Sequence, residues 1–561
     1  MHVVYVDMFI RIAKQKRKHK TYRHLQIAES YRDPEKGNSP RTRILAHLGT
    51  VEGLGEEQIE KLIAGLQRAI GKTTDSPPQL LFARDYGHVH AVGGVWDKLG
   101  LSPVLEDAGI RGEASFDAAT LIRLLVVNRI CDPCSKLALL DWLESVCYDK
   151  DKEAPPSYHH LLRAMDRLLS VKQAAEPAIA RQLIAGSEKI DLVFYDITST
   201  YFEGDRSLID DDFRRYGYSR DGRFDKRQIV IGLVMTRSGI PLCHHIFPGN
   251  TVDKTTVVEV IRDIKARFHL DRVVFVGDRG MLSDENLDTL LGEGLGFIVA
   301  YPLRRNAFAS EVIGALDKKF DRRNPAEQFH EDVRAGMRFV VAYSPEIAAE
   351  VKSARDQRLE KADAWIKGVR HRLAHPSGKG RKPTPQGTYD RIRDYLRDHH
   401  LLGLYSVELT SGKLSVTKNK QARAWEETID GMLMLGTTDM ENPLEEIVKR
   451  YKELAEIERG WRSLKSTLLL RPVYHWTEKR IRAHVFICVL ALQLERWMRR
   501  KLEGVSSVPR AMRILKRVKI GELEMGTKKT RILTRPSAEQ KQLLKKLGVV
   551  PLPNSLPAKD L

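Results

Sequence analysis

Between residues 192 and 300 the chain alternates strand-like and helix-like patterns in an order that few architectures accommodate. Leu192-Val193-Phe194-Tyr195-Asp196 is an apolar run closed by an acid, as in a strand buried on both faces. Segments 228–236 and 242–247 read as a second and a third strand. Segment 253–268 reads as a helix with Val257, Val260, Ile261 and Ile264 on one face. A fourth strand, 272–276, leads into Gly277-Asp278; a short helix, 283–291, then leads to a fifth strand, 297–300. The order is β-β-β-α-β-α-β. Strands joined by short turns pair antiparallel, whereas a strand reached through a helix returns parallel by a right-handed crossover.

That order is the one of a ribonuclease-H-like α/β core. It places Asp196 and Asp278 at the ends of two strands, where ligands gather in open α/β sheets. A single strand-end aspartate can equally cap the turn that follows; two on neighbouring strands suggest a metal site. A further strand, 432–436, precedes a long helix read over 443–468, and a second helix, 478–501, packs behind it. Along the first of these, Tyr451, Leu454, Glu458 and Lys465 recur so that 100° per residue places them in one stripe. Glu453 and Glu456 point to other faces, where Lys452 and Arg459 can screen them as solvated surface.

The remainder divides by texture. Residues 1–75 form a small β-rich basic domain plus a helix over 55–70, with the cluster 14–20 as either a DNA-backbone contact or a solubilising hairpin tip. Residues 80–188 are helical and a candidate DNA-binding domain, and 189–302 with 430–505 make the core. Segment 303–429 reads as an inserted domain with a flexible Pro/Gly-rich loop over 376–387, and 506–561 as a loosely packed basic tail. Lysine and arginine outnumber acids by 93 to 74, a net charge of +19 that implies a polyanionic partner. The longest apolar run, 485–492, is far below the ~20 residues of a membrane span, and no secretion signal follows the basic cluster. With five cysteines the chain suits a reducing, cytoplasmic setting; Cys131-x-x-Cys134 lacks a second pair and reads as a turn or a partial metal site. The histidine pairs 159–160, 244–245 and 399–400 lack ligand spacing on one element, and Gly292-Glu293-Gly294-x-Gly296 follows a helix, unlike a phosphate loop.

Tyr451-x2-Leu454-x3-Glu458-x6-Lys465 resembles the Y-x2-R-x3-E-x6-K signature of the IS-four superfamily of insertion-sequence transposases. Phe194-Tyr195-Asp196-Ile197-Thr198-Ser199-Thr200 and Val276-Gly277-Asp278-Arg279-Gly280-Met281 resemble its two aspartate blocks. Gly249-Asn250-x2-Asp253 and Phe297-Ile298-Val299-Ala300 resemble neighbouring segments. The long insertion before the glutamate is similar to the branch named for insertion sequence sixteen-thirty-four. Leu454 stands where the signature has arginine, so that arginine's DNA contact is not carried over.

The resemblance implies a DDE transposase in which Asp196, Asp278 and Glu458 hold two Mg²⁺ ions, with Mn²⁺ able to substitute. It implies cleavage at the ends of an element and joining of the 3′-hydroxyl ends to target DNA. Tyr451 and Lys465 would touch terminal-strand phosphates, and Arg459 and Arg462 are either further contacts or plain surface charges. Trp461 and Trp425 are either base-stacking residues or core anchors. The implied partners are double-stranded DNA, as inverted-repeat ends and target, and a second copy in a synaptic homodimer, in the bacterial cytoplasm at the nucleoid. A nuclease of the same fold without strand transfer, and a non-catalytic DNA-binding regulator, are the competing readings.

Overall fold

The computed structural model describes residues 8–17, 20–33, 39–50, 79–110, 117–148, 156–184, 190, 192–203, 213–268, 274–277, 284–376, 382–525 and 528–552. The helix expected over 55–70, and Asp278 itself, lie outside the described residues. Two compact units result. The first is Met1–Val252 with Arg262–Leu270 and Ala455–Leu561; the second is Asp253–Ile261 with Asp271–Leu454.

The first unit opens with an antiparallel sheet of β1 (Met8–Arg17), β2 (Lys20–Asp33) and β3 (Ser39–Thr50). After β4 (Gln79–Asp85) comes a helical stretch centred on Ala118–Cys131. Asp117 starts that helix, its carboxylate accepting from Ala119 N and Thr120 N at 3.0 and 3.2 Å. Its sequence AATLIRLLVVNRIC is apolar almost all round, so it is buried on nearly every side against Tyr158–Ser170 and Glu478–Lys501. The run 485–492 is buried in the same bundle. No helix among the described residues is long and apolar enough to cross a membrane.

β5 (Leu192–Tyr201), β6 (Gln228–Thr236) and β7 (Pro241–Pro248) pair antiparallel in sequence order. β5 does not end at Asp196 as expected. Ile197-Thr198-Ser199-Thr200 is rich in β-branched residues, stays buried, and continues the ladder against Gly232 through Ile229 of β6. Asp196 is therefore a mid-strand residue.

In the second unit β8 (Val274–Gly277) and β9 (Gly296–Tyr301) pair parallel across the helix Asp284–Gly292, as a crossover connection requires. The expected insertion is not separate from these strands. β10 (Gln328–Arg334) and β11 (Met337–Tyr343) pair with each other, and β11 pairs with β14 (Met432–Thr437), which pairs with β9. The cause is β11 itself, whose run Phe339–Tyr343 is wholly buried. Between β11 and β14 stand the helices Pro345–Ala374 and Pro385–Asp398 and the ribbon of β12 (Tyr405–Thr410) and β13 (Lys413–Lys418), joined by Trp365 stacked on Tyr395 at 3.9 Å. The loop expected to reach residue 387 stops short of Pro385, which opens its helix behind the cap Thr384.

The C-terminal segment is folded, not a loose tail. β15 (Lys519–Met525) pairs with both β4 and β16 (Lys528–Leu533), and the helix Ala538–Leu547 buries Leu543, Leu544 and Leu547. Its apolar residues are few, and β15 finds its partner in β4, far away in the chain; no local pattern advertises such a pairing.

Candidate active site

Asp196 is half-buried, between neighbours on the strand that are buried on both sides of it. Its Oδ1 accepts from Ile197 N at 2.8 Å and its Oδ2 from Trp461 Nε1 at 3.1 Å. Trp461 belongs to the helix Ala455–Arg462, which lies on the sheet through Ile457 and Gly460. A Cβ on Gly460 would stand 3.2 Å from Met235 of β6, so the glycine lets helix and sheet meet closely. Glu458 is exposed one turn before Trp461, where i and i+3 positions share a face. The helix that bonds Asp196 thus carries Glu458 on the same side. Asp278 follows directly on β8, outside the described residues.

The single helix expected over 443–468 is three segments: Leu444–Lys452, Ala455–Arg462 and a π-turn, Ser463–Thr467. Tyr451 lies on the first and Leu454 in the turn after it, its N–H donating to Tyr451 O at 3.0 Å. No glycine or proline lies there; the break falls where the chain passes from the second unit to the first. The π-turn then shifts Lys465, because Leu468 N donates five residues back to Ser463 O at 2.8 Å. The four residues do not form one helical stripe.

Glu456 is not solvated surface. It is paired with Arg459 and lies 3.4 Å from Arg496 and 3.7 Å from Arg499, so it ties the helix of Glu458 to Glu478–Lys501. Arg459 is thereby paired, whereas the Arg462 side chain is exposed. Lys465 Nζ donates to Asp221 Oδ1 at 3.1 Å, and Arg471 to Asp221 Oδ2 at 2.6 Å. Burial lowers the Lys465 pKa, against the opposing pull of Asp221.

Asp221 belongs to a segment that the strand-and-helix reading passed over. Residues 213–227 read FRRYGYSRDGRFDKR, six bases interleaved with aromatics. Tyr216, Tyr218 and Phe224 are exposed, Tyr218 and Phe224 meeting edge to face at 6.2 Å. Arg223 and Arg471 flank the Tyr201 ring, at the end of β5, at 5.1 and 4.9 Å. The pattern is visible in the sequence as arginines alternating with aromatic residues.

Elsewhere, Cys243, His245 and Asp263 place potential ligand atoms within 4.8 Å. Arg267 already bonds both oxygens of Asp263, while Glu176 takes Lys172, Arg267 and His244, so the cluster is an ion-pair network. Trp425 is a packing residue whose Nε1 donates to Leu303 O at 3.2 Å.

Two family models match the chain: the IS1634 family transposase N-terminal domain over residues 10–77, and the transposase DDE domain over 188–494. The second spans more than half of the sequence, and the chain belongs to the DDE transposases, in their IS1634 branch. Among solved structures it is similar to a piggyBac transposase synaptic complex with hairpin DNA, at 11% identity over 86% of this chain and 89% of that one, with a TM-score of 0.38. It is also similar to a Mos1 transposase paired-end complex with the left transposon end, at 16% identity over 33% of this chain and 59% of that one, with a TM-score of 0.15. No curated protein matches it.

Proposed function

We propose that this transposase cleaves DNA at the ends of its element and joins the freed 3′-hydroxyls to target DNA, using Asp196, Asp278 and Glu458 on a ribonuclease-H-like core. The observation that carries the reading is the Trp461–Asp196 hydrogen bond, which brings the helix of Glu458 onto the strand of Asp196. The donors are hard carboxylate oxygens, one half-buried and one exposed, a set that suits Mg²⁺ better than a softer ion. Asp196, Asp278 and Glu458 would hold such ions, which would supply Lewis-acid stabilisation of the reacting phosphodiester and would lower the pKa of an attacking water. Trp461 fixes the orientation of one Asp196 oxygen, and the Ile197 amide fixes the other.

The DNA strand runs over residues 213–227 and the π-turn. Tyr216, Tyr218 and Phe224 offer faces for stacking and the arginines offer phosphate contacts. Asp221 holds Lys465 and Arg471 as a phosphate would, so an arriving strand exchanges one anion for another. Tyr451, Arg459 and Arg462 extend the same phosphate-contact reading. Two copies would bring two ends together.

A labelled element-end duplex incubated with Mg²⁺ and target DNA tests the reading. Nicked ends and covalently joined products are expected. Nicking that never yields joined product would establish a nuclease without strand transfer, and neither product would favour the regulator.

A further inference from the structure

The helix Ala118–Cys131, the turn after it and the segment around Leu469–His475 enclose a cavity of about 370 Å³ that the carboxylate site does not use. Its inner wall is basic. Arg129, Lys136, His475 and His484 are all buried, and the described lining residues include no carboxylate. The mouth is apolar and aromatic, with Leu137, Leu469 and Tyr474 exposed.

The wiring leaves positive charge uncompensated. Arg129 donates only to carbonyls, those of Leu468 at 3.4 Å, Leu469 at 3.2 Å and Cys134 at 3.3 Å, and its buried Nε has no partner among the described residues. His484 Nε2 lies 2.9 Å from Leu470 O. A carbonyl only accepts, so Nε2 carries the proton and Nδ1 accepts from Lys136 Nζ at 2.8 Å. Burial, reinforced by Arg129, lowers Lys136 to about 7, and burial with Lys136 lowers His475 to about 3. A buried cation with no counter-charge costs several kcal/mol, and buried cations are ordinarily met by an acid. Here no described lining residue supplies that acid, and a cavity stands in its place.

We propose that this cavity is a phosphate seat, taking one phosphate group between Lys136 and His475 with Arg129 beneath as the fixed charge. Inorganic phosphate and a DNA backbone phosphodiester share the required chemistry. The second source rests on the DNA-binding reading above; the first does not. The seat also adjoins the chemistry, because the Leu468 and Leu469 carbonyls held by Arg129 directly follow the π-turn of Lys465.

Trace acetylation of the full chain at pH 7 and constant ionic strength tests the seat, with Lys136 read against exposed lysines by peptide mass spectrometry. A counter-ion that raises the amine's pKa by one unit cuts its neutral fraction about fivefold, so at least that protection is expected. Protection by inorganic phosphate alone assigns the free ion as the source, by duplex alone the strand, and by both either one; protection by neither overturns the proposal. Where Lys136 resists acetylation in chloride, calorimetric titration of inorganic phosphate decides. Lys136→Met is expected to weaken binding at least tenfold, roughly the loss of one charge-assisted contact, and His475→Gln serves if that variant fails to fold. Unchanged affinity in the folded variant overturns the seat. Neither readout involves cleavage, so the carboxylate reading stands or falls separately.

Discussion

The indole nitrogen of Trp461 is the residue-scale feature on which the site turns. Trp461→Phe keeps the ring packing and deletes only the donor to Asp196 Oδ2. Losing such an orienting partner typically costs ~10- to 100-fold in activity or metal affinity, and cleavage rate against Mg²⁺ concentration should show it; a wild-type profile would remove the indole from the account. Glu456→Gln should act through stability instead. It weakens the counter-charge of Arg496, which is 2% exposed, and about 1–3 kcal/mol is expected as a lower thermal midpoint. The two acids illustrate what sequence could and could not convey. Glu458 rests on its resemblance to the motif, since the single helical stripe that spacing suggested is broken into three segments. Besides Arg459 on its own helix, Glu456 meets Arg496 on another helix 40 residues away, a contact that spacing along one helix cannot reveal.

Elements, in contrast, were readable where periodicity was strong. The strands around Asp196 and the crossover from β8 to β9 follow from apolar runs and turn residues. The break before the helix of Glu458 was not readable, because nothing in Glu453-Leu454 disfavours helix; it falls where the chain passes from one unit to the other. β15 was missed for the same reason, since pairing with β4 is a long-range fact. Two predictions belong at this scale. In the β5–β6 pair, a Cβ at Gly232 would lie 2.6 Å from the Tyr195 hydroxyl, so Gly232→Ala should lower the unfolding midpoint by the equivalent of about 1–3 kcal/mol. In the segment 213–227, Tyr218→Ala should weaken DNA binding by about 1–3 kcal/mol without changing the midpoint. Unchanged affinity would leave those aromatics as bystanders.

For the whole molecule, charge and burial set how it responds to solution conditions. A net charge of +19 predicts DNA affinity that falls steeply with salt. Burial lowers His88 and His244 to about 4 and His475 to about 3, so each is neutral in the fold. Unfolded histidines take up protons near 6.5, so the unfolded chain binds more protons between there and the folded values. Stability is therefore expected to be complete above pH 6.5 and to decline as pH falls from 6.5 toward 4. Glu176 adds to the loss at lower pH still: burial raises its pKa, but Lys172, His244 and Arg267 more than reverse this and hold it below the usual range. Thermal midpoints at constant ionic strength would check this, and a flat profile from pH 7 to 4 would contradict it.

The most direct measurement compares Asp196→Asn, Asp278→Asn and Glu458→Gln with the wild type on one labelled element-end duplex in Mg²⁺. If the three carboxylates form one metal-holding unit, each single variant abolishes cleavage and joining while still binding the duplex. Cleavage that persists in the Glu458→Gln protein would contradict the assignment of the third acid, and with it the role given to the helix that Trp461 anchors to Asp196.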